Sequence, residues 1–383
     1  MRKKEYEPKT MMDTPRIRWK SAKDWTIIDD KGKEYIDMCS GIFVTNVGHR
    51  NPKFTERIKE QLDVLPFAFA FPTDIREELT NKLISITPEY LDMVALFSEG
   101  GVATDKAVQI ARKYTGKELI LSFKNSYHGS TIFWKDQYSN GLQEEFPFNK
   151  RKFNGNKYLP EDIAAVIIEG YRGWDARFFP KSYIKSLQKW CNDNNVLLIV
   201  DEIQSGFWRT GKLFAYQHYD INPDLVTIGK AFGGGVPLSG VLGNHKIMTT
   251  FDDSELISNT HSGNCISMAG ALGNLEAYED INLDLVRKNG ELFKELLFNL
   301  KKEYDEIVEI TGNGMLWAIH VTTPELATNI VLKCIDNGLM MIITRKHTIK
   351  IGPPICISSK DIIKAVDIIK KSIKEVDDYD IKI

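Results

Sequence analysis

Six short apolar runs constrain this chain most. They fall at 94–97, 119–123, 164–168, 196–200, 225–228 and 239–242, with helical patterns such as 105–114 and 181–192 between several of them. Strands alternating with helices specify an α/β fold with a mostly parallel sheet. The run 196–200, Val-Leu-Leu-Ile-Val, contains no polar residue, so it reads as a strand buried on both faces. Asp201 follows it directly. Ligands of parallel sheets collect outside the carboxyl ends of the strands, which is where this acid stands.

Lys230 comes just after the run 225–228, and Gly233-Gly-Gly235 follows it. Most lysines are solvated surface charges, so Lys230 alone would say little. Together with Asp201 it says more. A pyridoxal phosphate (PLP) site needs a lysine that holds the aldehyde as a Schiff base and an acid that keeps the pyridine nitrogen protonated. It also needs backbone N–H groups at a helix N-terminus for the phosphate, with glycine to let the chain come close. Phe97-Ser98-Glu99-Gly100-Gly101 follows a strand and opens a helix, so Gly100 and Gly101 are the candidate cradle.

The stretch 201–243 resembles the signature of class III aminotransferases, PLP enzymes of fold type I. It contains Asp201-Glu-Ile203-Gln204 and Thr227-Ile-Gly-Lys230-Ala-Phe-Gly233 at the family's spacing. The resemblance extends from 29–37 through Gly48-His49-Arg-Asn-Pro52 to Ile351-Gly-Pro353-Pro354. It implies catalytic roles for Lys230 and Asp201, with Asp201 at the pyridine nitrogen. Gln204 then faces the ring hydroxyl and Ile203 covers one ring face. Tyr127-His128-Gly129 matches the family's tripeptide whose aromatic stacks on the other face. Glu169 matches a supporting acid, with Gly170 in place of the family's proline. Thr260-His-Ser-Gly-Asn264 resembles the segment whose threonine reaches the phosphate of a neighbouring subunit, which implies a homodimer with shared sites.

The sequence also departs from the family. Gly101 and Val102 replace a hydroxyl residue and an acid in the cradle. Only about forty residues separate Tyr127 from Glu169, where the family carries a longer segment. Lys350 stands where many members have arginine, and Trp174 where some have an acid. A lysine is a point charge without a bidentate fork, so carboxylate recognition there would differ. Arg172 is a further candidate for an anionic group. Trp134, Trp174, Trp208, Phe67, Phe69 and Phe71 are candidates for an apolar mouth, although aromatics more often serve cores and interfaces.

The expected reaction is transfer of an amino group from an amino-acid or amine donor to a keto or aldehyde acceptor. Another PLP reaction on the same scaffold (aminomutase, decarboxylase or epimerase) competes with it. Gln204 favours transamination. A nicotinamide enzyme is disfavoured, because no G-x-G-x-x-G follows a strand. A formal net charge of -2 gives no basic footprint for nucleic acid, and no apolar run approaches a membrane span. Five scattered cysteines without a C-x-x-C pair indicate neither a disulfide framework nor a zinc site. Cys265, beside Asn264, reads as an inert small residue. The charged start at 1–8 lacks an apolar signal region, so a cytoplasmic setting is expected. The texture changes after about residue 275. The expected division is a segment 1–46 that packs with the small domain, a large PLP-binding domain 47–275 with a seven-stranded sheet, and a small α+β domain 276–383.

Overall fold

The computed structural model describes residues 17–380 except 124, 140–142, 145–151, 154–155, 158–159, 252–256 and 346. The start at 1–8 and part of the segment between Tyr127 and Glu169 lie outside the described residues.

The central sheet runs in the order Met93–Phe97, Ser239–Gly243, Leu225–Ile228, Leu197–Asp201, Ile163–Glu169, Leu119–Phe123, Gln143–Glu144. Ser239–Gly243 is antiparallel to both neighbours, and the other pairs are parallel. All six apolar runs are strands of this sheet. The edge strand Gln143–Glu144 carried no apolar signal. Every residue of Ile163–Glu169 and Leu197–Asp201 is buried, which is why these strands read as continuous apolar runs. Parallel register sets Asp201 beside Glu169 on one side and Thr227 on the other. Three polar side chains thus meet at the carboxyl edge because their strands end together.

The helix Gly100–Thr115 follows the first strand and buries Ala103, Thr104, Ala107, Val108, Ile110 and Ala111 against the sheet. That helical spacing gives one apolar face. The helix begins a turn earlier than the pattern at 105–114, because the glycines at its start carry no periodic signal.

Two smaller sheets complete the fold. Trp19–Lys23, Thr26–Asp29 and Glu34–Asp37 form a meander, and Leu339–Met340 joins it in parallel, so distant parts of the chain share one sheet. The turn between the second and third of these strands is set by Asp29, whose Oδ1 accepts from the N–H groups of Lys31 and Lys33. Ile307–Asn313, Leu316–Val321, Thr348–Ile351 and Ile342–Arg345 form an antiparallel sheet. The helices Leu283–Glu303, Pro324–Asp336 and Ser359–Asp380 each bury one face near it.

Candidate active site

Asp201 ends its strand with a carboxylate that is almost fully buried. Oδ1 accepts from the Ile203 N–H at 3.0 Å and the Thr227 hydroxyl at 3.2 Å. Oδ2 lies 2.9 Å from Nδ1 of His128. A carboxylate can only accept here, so Nδ1 carries the proton. His128 is buried and leans on Trp134, with ring centroids 4.9 Å apart. The Trp134 indole donates to the Thr104 hydroxyl at 2.9 Å, and that hydroxyl donates to the His128 carbonyl at 2.6 Å. The helix Gly100–Thr115 is tied to Asp201 through this chain of contacts.

His128 turns inward and holds Asp201 rather than presenting a ring face. Trp134, a candidate for the mouth or the core, is fully buried core. Tyr127 points the other way and is exposed, edge-on to Trp174 at 5.6 Å.

Lys230 sits in a tight turn at φ +44°, the left-handed region that non-glycine residues seldom occupy. Its carbonyl accepts from Gly234 N–H at 3.0 Å. Dehydration by burial lowers its pKa, while the carboxylates of Asp201 and Glu169 push it up and Arg209 adds to the lowering. The net shift is downward, toward the free amine that attacks a carbonyl.

Glu169, at the end of the adjacent strand, accepts from Gly173 N–H at 2.8 Å and Tyr127 N–H at 3.2 Å. Burial raises its pKa, and His128 opposes the rise. Ile203 lies between the cradle and the lysine turn: a Cβ at Gly100 would come 3.0 Å from it, and one at Gly229 3.4 Å. The Glu99 side chain leaves the first turn of the cradle helix uncapped. Gly129 crosses over that turn so closely that a Cβ would lie 2.8 Å from the Gly101 Cα, and its φ of +127° also requires glycine. This set fits PLP by its chemistry: an amine held toward its free form, an acid with a fixed protonated partner behind it, and an open helix N-terminus beside both.

Other candidates are placed elsewhere. Arg172 is held by Asp175 through Nε at 3.1 Å and a second contact at 2.5 Å, and its guanidinium lies 5.3 Å from the Phe179 ring. Trp208 packs on Tyr278 at 5.0 Å. Cys265 is buried, and burial raises its thiol pKa. Thr260 is exposed on the short turn Thr260–Gly263, which packs against the Phe67–Phe71 segment through Ala68 N–H to Gly263 O at 3.0 Å.

Sequence reasoning missed two buried charges. Glu202 accepts from Ala215 N–H at 2.9 Å, Tyr216 N–H at 2.7 Å and the Ser205 hydroxyl at 2.6 Å, so it anchors the loop after Asp201. Burial pushes its pKa up to about 7. Arg209 donates to the Pro353 carbonyl and to the Ser40 hydroxyl, joining that loop to both ends of the chain. Burial lowers its pKa to about 10. Nothing in the local pattern separates such residues from surface charges.

The pattern of the aminotransferase class-III family matches residues 9–373. The chain is 33% identical over 359 residues to an acetylornithine aminotransferase of Bacillus cereus, covering 90% of this chain and 92% of that one. It is 31% identical over 362 residues to a [LysW]-aminoadipate semialdehyde/glutamate semialdehyde transaminase of Sulfurisphaera tokodaii, covering 91% and 92%. Its fold is similar to that of an ornithine aminotransferase from Plasmodium yoelii, with a TM-score of 0.83, 26% identity and 96% of each chain covered.

Proposed function

The chain belongs to the class III aminotransferase family, and from that premise we propose which residues perform the reaction and what the amine is. It is a PLP-dependent aminotransferase of fold type I. When bound, PLP supplies an aldehyde that can be passed from Lys230 to a substrate amine, and a ring that takes up the electron pair left when a proton departs.

The residues have distinct tasks. Lys230 holds the cofactor, and Nζ, once displaced, takes the proton from the substrate carbon that bears the amine. Asp201 keeps the pyridine nitrogen charged, with His128 fixing its carboxylate. Gly100 and Gly101 offer their N–H groups to the phosphate. Ile203 and Tyr127 cover the two ring faces. Gln204 meets the ring hydroxyl, and Glu169 supports the Tyr127 backbone. The observation that carries this reading is the Asp201–His128 pair, 2.9 Å apart and buried beside the strained Lys230 turn.

We propose that the amine is terminal, giving an aldehyde. Two observations support this. The similar acetylornithine and aminoadipate semialdehyde enzymes are named for substrates of that kind. Lys350 and Arg172, the two cations considered for a carboxylate, both have protein partners. Incubated with a productive terminal amine and no acceptor, the enzyme is expected to release one aldehyde per site and stop. A panel in which only α-amino acids gave a product would remove the terminal-amine assignment. Isomerisation or decarboxylation through many turnovers would replace transamination altogether.

A homodimer is part of the proposal. Thr260 is exposed on a turn packed beside the exposed Phe67, Phe69 and Phe71, with exposed Leu62, Val64 and Leu65 close in sequence. A cluster of large apolar side chains of this kind marks an interaction surface. Sedimentation should give twice the chain mass for the active enzyme; a fully active monomer would contradict it. The division at 1–46, 47–275 and 276–383 is also proposed, supported by the sheet that Leu339–Met340 shares with the N-terminal meander. A cytoplasmic setting suits four buried cysteines that are free thiols.

A further inference from the structure

Lys350 is a fully buried lysine with no task in the proposed reaction. It leaves the strand Thr348–Ile351 of the C-terminal antiparallel sheet and reaches two segments that follow strands of the central sheet. Nζ donates to the Gly173 carbonyl and to Oε1 of Gln204. The rings of Phe43 and Tyr171 lie 5.0 and 5.9 Å from it. Two oxygens and two ring faces form an environment for a cation.

Burial pushes the Lys350 pKa down to about 7, with Glu169 opposing, and in either charge state Nζ has hydrogens to donate to the two oxygens it meets. With Nζ donating toward Gln204, the oxygen end of the amide faces it, since the nitrogen end would set donor against donor. The contact therefore decides which way the Gln204 amide points. Nε2 is turned away from Lys350, and among the described residues it donates to no protein group. Gly173 makes the convergence possible: a Cβ there would lie 2.6 Å from Glu169 Oε1 and 3.1 Å from Gln204 Oε1.

We propose that Lys350 is a positioning residue for the cofactor, locking the Gln204 amide so that Nε2 is held as a donor toward PLP, and that it is not a counter-ion for a substrate carboxylate. This rests on the reading of Gln204 as a cofactor-facing residue. A carboxylate counter-ion must show its charged end to the cleft, whereas Lys350 is wholly enclosed and spends its hydrogen bonds on the protein. A simple packing role would not require an acceptor oxygen on each side of Nζ.

The test is a double-mutant cycle read on cofactor binding rather than turnover. Lys350→Met keeps the length of the side chain and removes the ammonium. Wild type, Lys350→Met, Gln204→Ala and the double variant are prepared without cofactor. PLP affinity is measured by fluorescence quenching, and the visible absorption of the bound cofactor is titrated with pH. Lys350→Met is expected to weaken PLP binding about tenfold, the scale of a hydrogen bond to a charged group. Its titration midpoint should rise, because a lost donor destabilises an ionised ring oxygen. In the Gln204→Ala background the same change should move neither quantity, since residues acting through one contact are not additive.

Equal effects in both backgrounds would overturn the proposal, because Lys350 would then act as a direct charge or a structural prop. It would also fall if PLP binding were untouched while half-saturation by L-lysine rose far more than that by cadaverine, the amine lacking the carboxylate. Wild type that bound no PLP would sink the cofactor assignment itself, a different failure. Should Lys350→Met not fold, Lys350→Gln serves: its amide can donate or accept, so it no longer dictates the direction of Gln204, and the same cycle applies.

Discussion

Lys230→Ala is expected to lose at least about 10⁴-fold in turnover, the upper range for a positioned acid–base group, because it removes both the cofactor's attachment and the proton carrier. Reduction of the loaded wild type with borohydride, then peptide mapping, should place a pyridoxyl group on Lys230. In the variant no peptide should carry it, and a label on another lysine would end the assignment. The cofactor-free variant should fold as well as the wild type, with melting within a few degrees. The reason lies in the site: burial lowers the pKa of Lys230 against the pull of Asp201 and Glu169, so its charged form gains little there. Loss of folding in Lys230→Ala would show a structural role instead.

Asp201→Asn is the second large effect, with an expected loss on the order of 10²–10³-fold. An opposite charge a few ångströms away typically moves a pKa by about 1–3 units, and that preference for a charged ring nitrogen is what the amide gives up. Folding should survive. The introduced amide can keep its oxygen toward Ile203 N–H and the Thr227 hydroxyl, the two donors now at Oδ1. Its NH₂ would face His128, which can accept by moving its own proton to Nε2. The measurement is turnover together with bound cofactor. Near-normal turnover at full PLP occupancy would mean that Asp201 is not the partner of the ring nitrogen.

Both predictions concern residues that the sequence singled out, by their place after apolar runs and by resemblance to the family signature. Asp201 follows an uninterrupted apolar run and Lys230 follows one broken only by Thr227, and such runs mark central strands of a sheet whose carboxyl ends collect ligands. Gly100 and Gly101 were legible for a similar reason, since they separate an apolar run from an amphipathic one. The edge strand Gln143–Glu144 was not, because a two-residue strand has no period to detect.

The side chains around these anchors were less legible. Tyr127 and His128 are neighbours in the tripeptide that the resemblance places at the cofactor ring. One is exposed and the other is locked onto Asp201, a partner 73 residues away in sequence. Trp134 was open to a mouth or a core reading and is core. Arg172 looked available for an anion and is held by Asp175 three residues on. Local sequence could not choose between those outcomes, because each depends on which surface packs against the segment.

The sequence by itself determined six strands of the central sheet and where the acid, amine and glycines stand relative to their ends, because periodicity and turn chemistry are local properties of the chain. Tertiary structure alone decided the states of the polar residues between them. Glu202 and Arg209 became buried anchors, and Lys350 came to face Gln204 from 146 residues away in sequence. The physical reason is that burial of a charge is tolerated only where other segments bring acceptors or donors to it, and those segments meet only in the folded chain.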